Sequence, residues 1–303
     1  MSERQKISAE EVGDFSKQAQ KDRETLGIIK GKTKEQFKDF SDYHGEGHTE
    51  LVAGYAKLIA LGDDKDVFNA EAAGWTHDWG RAAEEHDPAK RKHAELSGVV
   101  SRDFYRKLYE EKRITAIQYG EIQRAVRRHS LNKETPRETL KIVRDADRLS
   151  RFGSLGLYHN IRGLVEDWKL PFYVEGQPVI RSDDAPVMEM KEVKCVVDVL
   201  NFVFDFRKLL ETDAGRRLFK IFEPSYKAFL KLISNHVDIK DPQTWLDFLK
   251  RYADAFKNKK EEFEKDFQWT GTKTDFEEWL KFYEQIEDPQ MFSEENFKIF
   301  LKK

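Results

Sequence analysis

The chain has little cysteine, no long apolar run and no excess of either charge. One cysteine, Cys195, occurs in 303 residues. That excludes an intramolecular disulfide and a cysteine-rich zinc site, so any bound metal must be held by histidines and carboxylates. Cys195 lies in EVKCVVDVL and reads as a small core residue. No stretch approaches the roughly 18 apolar residues of a membrane span, so no membrane partner is expected. The opening MSERQKISAEEVGDF is polar and lacks the apolar segment of a secretory signal. A cytoplasmic protein is the resulting expectation. Lysine and arginine number 53 against 56 acidic residues, a net charge of −3. This balance gives no global attraction to nucleic acid, and no recognition motif supports nucleic acid as a partner. Gly/Ser-rich linkers are also missing, which favours halves packed together over halves on a tether.

What is present is helical patterning. Apolar periodicity and capping signals predict helices over 8–24, 48–61, 66–79, 90–110, 115–129, 136–150, 154–166, 188–210, 216–235, 242–267, 274–286 and 293–301. Ser8 with Glu11, Thr135 with Glu138 and Thr274 with Glu277 match the capping-box pattern. Asp87-Pro88, Thr135-Pro136 and Asp241-Pro242 suit an N-cap followed by proline. One segment departs from this. Phe172 to Ile180 is β-prone on both sides of Glu175-Gly176 and predicts a small hairpin, limited to an edge by Pro178.

Composition shifts near residue 170. Seven of the eight histidines lie before it, and aromatic-rich amphipathic helices follow it. Trp245, Leu246, Leu249, Tyr252, Phe256 and Phe263 share roughly one helical face, which reads as a packing stripe. The expected organisation is an N-terminal helical extension over 1–39, a histidine-bearing domain over 40–168 and a helical region over 169–303 packed on it.

The chemistry concentrates in an ordered set. His77 and Asp78 adjoin in AGWTHDWG, at the end of a helix that is apolar on one face. A buried carboxylate without a partner is costly, and a metal is one remedy. His48 begins an upstream amphipathic helix. His93, in RKHAELSG, and His129, in VRRHSLN, follow, and Asp145 and Asp147 lie in RDADRLSRFGSLG. Those two aspartates point about 200° apart on a helix, so only one readily faces a shared site.

This order, H…HD…H…H…D, resembles the HD-domain superfamily of metal-dependent phosphohydrolases over about residues 40–165. HGEGHTELV is similar to that family's first helix. GWTHDWGR resembles its HD helix, with Trp75 and Trp79 in place of aliphatic residues and expected to reshape the pocket mouth. AVRRHSLN resembles the histidine helix of its nucleotide-hydrolysing bacterial branch, and ADRLSRFGSLG its late Asp motif. The resemblance implies an all-α HD bundle with an added aromatic-rich C-terminal helical region. It implies His48, His77, Asp78 and Asp147 as ligands of one ion, with His93 and His129 completing a second or binding substrate.

Imidazole and carboxylate donors suit Mn, Fe, Co, Ni or Zn. Such an ion makes hydroxide available near neutral pH for attack on a phosphoester or phosphoanhydride. A nucleotide or similar small phosphorylated compound is the expected substrate. Positive groups should neutralise the phosphoryl charge, and the candidates are Arg81, Arg127, Arg128, Lys133 and Arg148. Arg148 is expected to act in catalysis beside Asp78, and Glu95 or Asp145 to position water or protonate the leaving oxygen. Two other readings stand beside this one. Some proteins of the HD fold are di-iron oxygenases, and others are regulatory modules.

Overall fold

A computed structural model describes residues 9–39, 45–84, 86–130, 137–166, 168–182, 184–238 and 241–301. The expected capping boxes at Ser8 and Thr135 fall outside these residues, as does Lys133. Most of the described chain is helical, and among the described residues there is no strand. Its helices are α1 (Ala9–Phe37), α2 (Glu46–Gly62), α3 (Val67–Thr76), α4 (Arg81–Glu84), α5 (His93–Val100), α6 (Arg102–Glu110) and α7 (Ala116–Arg128). There follow α8 (Glu138–Leu149), α9 (Gly153–Glu166), α10 (Val196–Phe204), α11 (Asp213–Asn235), α12 (Pro242–Asp266), α13 (Lys273–Ile286) and α14 (Glu294–Leu301).

Local chemistry sets several boundaries. Asp66 caps α3 by accepting from Asn69 N, and Thr115 with Gln118 forms a reciprocal capping box at α7. Asp241 caps α12 with Pro242 at its first position, as expected. Asp87-Pro88 starts no helix. The Asp87 carboxylate instead accepts from the backbone and guanidinium of Arg91, closing a turn before α5. The predicted helix over 90–110 begins at His93 and breaks at Ser101. The cap of α13 falls at Thr272 rather than Thr274.

The predicted hairpin is absent. Gly176 adopts φ +85° and Gln177 N donates to Val174 O, which makes a turn. Its arms do not pair. Asn201 of α10 holds the second arm, donating to Val179 O and accepting from Arg181 N, while Val197 N at the start of α10 donates to Phe172 O of the first. Helix α10 thus satisfies backbone groups that a strand partner would have taken.

Two apolar clusters organise the bundle. The smaller joins α1, α3, α6 and α7 through Ile29, Phe68, Trp75, Tyr105 and Ile122. The larger runs from α2, through α8 and α9, to the C-terminal helices. Helices α2 and α8 contribute to both, with Ala53 and Val143 facing one and Ile59 and Ala146 the other. The aromatic stripe of α12 is core. Trp245 is fully buried, stacked between Phe172 and Phe297 at centroid distances of 5.4 and 4.4 Å. Burying each such side chain contributes about 2–3 kcal/mol. Cys195 is buried, as expected. Trp75 and Trp79 correct an expectation, because both are buried. The Trp79 indole donates to Thr33 of α1 and the ring packs on Phe104. Both fasten α1 to the bundle, and Trp75 also lines a cleft with Lys57, Trp269 and Trp279 that none of the clustered histidines lines.

Candidate metal centre

The ends of four helices converge on one point. His48 stands in the first turn of α2, and His77 ends α3 with Asp78 in the turn beyond it. His93 opens α5, and His129 ends α7. Two glycines permit this convergence. A Cβ on Gly74 would lie 2.7 Å from Ala53 Cα, so its absence lets α3 close onto α2. A Cβ on Gly80 would lie 2.3 Å from Ser97 N, so its absence lets α5 meet the turn that carries Asp78.

Asp78 is the hub. Its Oδ2 lies 3.7 Å from His48 Nε2 and 3.6 Å from His77 Nε2. Its Oδ1 lies 3.6 Å from both His93 Nε2 and His129 Nε2. Two triads result, His48–His77–Asp78 and Asp78–His93–His129, each with donor atoms within 4.8 Å of one another. Asp147 belongs to neither triad. It approaches from the more open side, 3.4 Å from His48 Nε2, with 26% of its side chain exposed.

Hydrogen bonds set the tautomers. His77 Nδ1 donates to Gly74 O at 2.8 Å, and His129 Nδ1 donates to Val126 O at 2.9 Å. Ser150 Oγ donates to Asp147 O, so it accepts from His48 Nδ1 at 3.3 Å. His93 Nδ1 faces the Glu84 carboxylate at 3.4 Å. Each Nε2 therefore presents a lone pair inward. The Nε2 atoms of His48 and His77 are only 3.3 Å apart. Lone pairs so close repel unless a cation lies between them. Asp78 Oδ1 and His129 Nε2 are buried and have no hydrogen-bond partner. Such orphans are costly in a dry interior, and a divalent ion would satisfy them. The donors fit a transition metal held without cysteine.

Electrostatics agree. Burial holds the imidazoles of His77 and His93 at about 4, so both are neutral at neutral pH. Burial alone would raise Asp78, but the Arg81 guanidinium beside it leads the effects that hold it well below the usual carboxylate range. Burial opposes ionisation of Asp147 as well, and His48 and Arg151 outweigh it.

Residues 45–151 match the family model of the HD domain. This part of the chain is an HD domain. A crystal structure of a Lactobacillus plantarum protein shares the fold at TM-score 0.52 and 16% identity, covering 70% of this chain and 96% of that one. YpgQ of Bacillus subtilis gives a TM-score of 0.49 at 16% identity, over 73% of this chain and all of its own, 100%. A predicted HD superfamily hydrolase from an uncultured Thermotogales bacterium is 28% identical, with TM-score 0.37 over 50% of this chain and 78% of its own. No curated protein matches the chain.

Other expected site residues of the HD domain lie apart from the cluster. Glu95 follows His93 by two residues, so it turns to the far side of α5. It faces Arg127 at 3.6 Å with 43% of its side chain exposed. Arg148 shares a face with Asp145, not Asp147. It donates to Asp145, Leu209 O and Glu211. Asp145 accepts from Glu211 N, Thr212 N and Thr212 Oγ1, which fastens the start of α11 to α8. Arg128 lines an outer cleft of α7. Arg81 stays close, with Nε donating to Asp78 Oδ2 at 3.0 Å. Glu84, Ser150 and Arg151 were not among the expected residues. Ser150 and Arg151 follow Asp147 by three and four positions, a spacing that brings them back to its side just past the end of α8. Glu84 sits on a four-residue helix and carries no periodic signal. Among the described residues no helix is long and apolar enough to cross a membrane.

Proposed function

We propose that this chain is a metal-dependent phosphohydrolase of HD type that cleaves a phosphoester or phosphoanhydride bond of a small phosphorylated substrate, a nucleotide in the first instance. The observation that carries it is the pair of buried triads sharing Asp78, with imidazole lone pairs aimed inward. His48, His77 and Asp78, with Asp147 beside them, would hold one ion. Asp78, His93 and His129 would hold a second. When bound, a divalent transition ion lowers the pKa of water and polarises a phosphoryl oxygen.

The chain's own residues supply orientation. Arg81 holds the Asp78 carboxylate by its Nε, so it acts first as a positioning group. Glu84 and Ser150 fix the rings of His93 and His48. Arg151, 3.9 Å from Asp147 Oδ1, is the cation nearest the open side and is assigned to the phosphoryl group. Arg148 and Glu95, engaged elsewhere, are given no part in the chemistry.

An anaerobic assay with Mn²⁺ and a panel of nucleoside mono- and triphosphates tests the reading. Release of phosphate or pyrophosphate is expected, and Asp78→Ala should abolish it by removing the carboxylate common to both triads. A strict requirement for iron and O₂ would move the assignment to oxygen chemistry on the same ligands.

A further inference from the structure

The turn between α8 and α9 carries the groups on the open side of the metal centre. Asp147 stands at the end of α8, and Ser150 and Arg151 follow it. Neither triad contains Asp147, so its place depends on how this turn is held. The residues just after Arg151 are held by helices far along the chain. Phe152 is fully buried, its ring 5.0 Å by centroid from those of Phe219 and Tyr226, both on α11. Gly153 adopts φ +72°, and a Cβ there would lie 2.9 Å from Glu287 Oε1. Ser154 donates to that same oxygen from both N and Oγ, each at 3.0 Å.

Glu287 is buried at the C-terminus of α13. Its Oε2 accepts from Tyr252 OH of α12 at 3.3 Å and lies 3.2 Å from Ser225 Oγ of α11. Among the described residues no ion pair involves it. Burying a carboxyl without a cation costs free energy, and hydrogen bonds from α9, α11 and α12 offset it. Helix α9 carries this anchor back to the turn. A Cβ on Gly156 would lie 2.4 Å from Ser150 O, so α9 packs directly on that carbonyl. Farther along α9, the buried Asn160 donates from Nδ2 to Arg151 O at 3.2 Å and accepts from Arg151 Nη1 at 3.3 Å. Backbone and guanidinium of Arg151 are both set by α9, whose first turn is set by Glu287.

We propose that Glu287 is a positioning residue of the metal centre. It touches no ligand, and through Ser154 and α9 it holds the turn that carries Asp147, Ser150 and Arg151. This role rests on the function proposed above, in which Asp147 joins His48, His77 and Asp78 at one ion. It gives the C-terminal helices a part in the site, because they place the carboxylate that both triads leave out. The Asp78–His93–His129 triad draws on α5, α7 and the turn after α3, and owes nothing to Glu287.

Mn²⁺ titration of the full chain in two backgrounds tests this. His93→Asn lets the ion at His48 be read alone, and His48→Asn lets the ion at His129 be read alone. Glu287→Met keeps the side-chain length and removes both oxygens. It should weaken Mn²⁺ binding about tenfold or more in the His93→Asn background and leave it unaltered in the His48→Asn background. Glu287→Gln, which keeps an acceptor for Ser154, should bind Mn²⁺ as the unsubstituted residue does. Where Glu287→Met fails to fold, Ser154→Ala removes a single donor and should give the same selectivity at smaller size. Unaltered affinity in both backgrounds overturns the proposal. An equal loss in both also overturns it, and makes Glu287 a prop of the fold alone. If the unsubstituted chain binds no Mn²⁺, the metal reading falls and the proposal with it. Selective loss in a chain that releases no phosphate from any nucleotide would remove the hydrolase reading and leave the positioning role in place.

Discussion

At the residue scale, the candidate centre is held in shape by groups outside its two triads. A histidine ligand needs its outer nitrogen held, or the ring turns and the lone pair is misdirected. Gly74 O and Val126 O do this for His77 and His129 with backbone carbonyls, which substitution does not remove. His48 and His93 depend on side chains, Ser150 and Glu84. Glu84→Ala should therefore lower metal affinity by about tenfold to a hundredfold, while the chelated protein melts as before. Titration of Mn²⁺ into wild type and variant decides it, and equal affinities would remove Glu84 from the centre. The sequence made the imidazoles and Asp78 legible because each stands at a helix end within a distinctive neighbourhood. Spacing also separated Asp145 from Asp147, since two positions on a helix cannot face one site. Glu84 was not legible. Its helix is a single turn, and its relation to His93 exists only after the chain folds back.

At the scale of elements, close approach is what assembles the triads. Gly80 leaves room for Ser97 N and His93 O, and Gly80 N donates to Ser97 Oγ at 2.8 Å. A methyl group there meets backbone, which cannot rotate away. Gly80→Ala should push α5 outward and destabilise the fold by about 1–3 kcal/mol. It should weaken the Asp78–His93–His129 triad more than the triad that contains His48. Metal stoichiometry falling from two ions toward one would show this, and unchanged stoichiometry with full stability would refute it. Sequence periodicity found most helices because their buried faces are regular. It missed the break at Ser101, a residue that itself keeps right-handed helical dihedrals. It also assigned a hairpin to Phe172–Ile180 because β-propensity is local, whereas α10, about twenty residues on, supplies the hydrogen bonds through Asn201 and Val197 N. The aromatic stripes were legible as core, but their partners were not, since periodicity gives a face and no destination.

At the scale of the whole molecule, the buried centre couples folding to pH. In the unfolded chain His77 and His93 titrate near the usual 6.5, and in the fold burial holds both at about 4. Between these values the unfolded chain binds protons that the folded chain does not. The stability of the chelated protein should therefore fall as pH drops from about 6.5 to about 4, by up to about 1.4 kcal/mol per pH unit for each imidazole. Below about 4 both states are protonated and these groups add no further loss. Two buried carboxyls act in the other direction. Burial raises Asp145 and Glu287, so each costs stability above the ordinary carboxylate range and is relieved on acidification. A difference between variants isolates the imidazole contribution from theirs. His93→Asn removes one titrating ring and leaves Asp145 and Glu287 in place. Thermal melts in EDTA from pH 7 to pH 4 should give a shallower acid loss for His93→Asn than for wild type. Parallel curves would mean that His93 titrates alike in the folded and unfolded chains, and that the centre is wetter than its geometry requires.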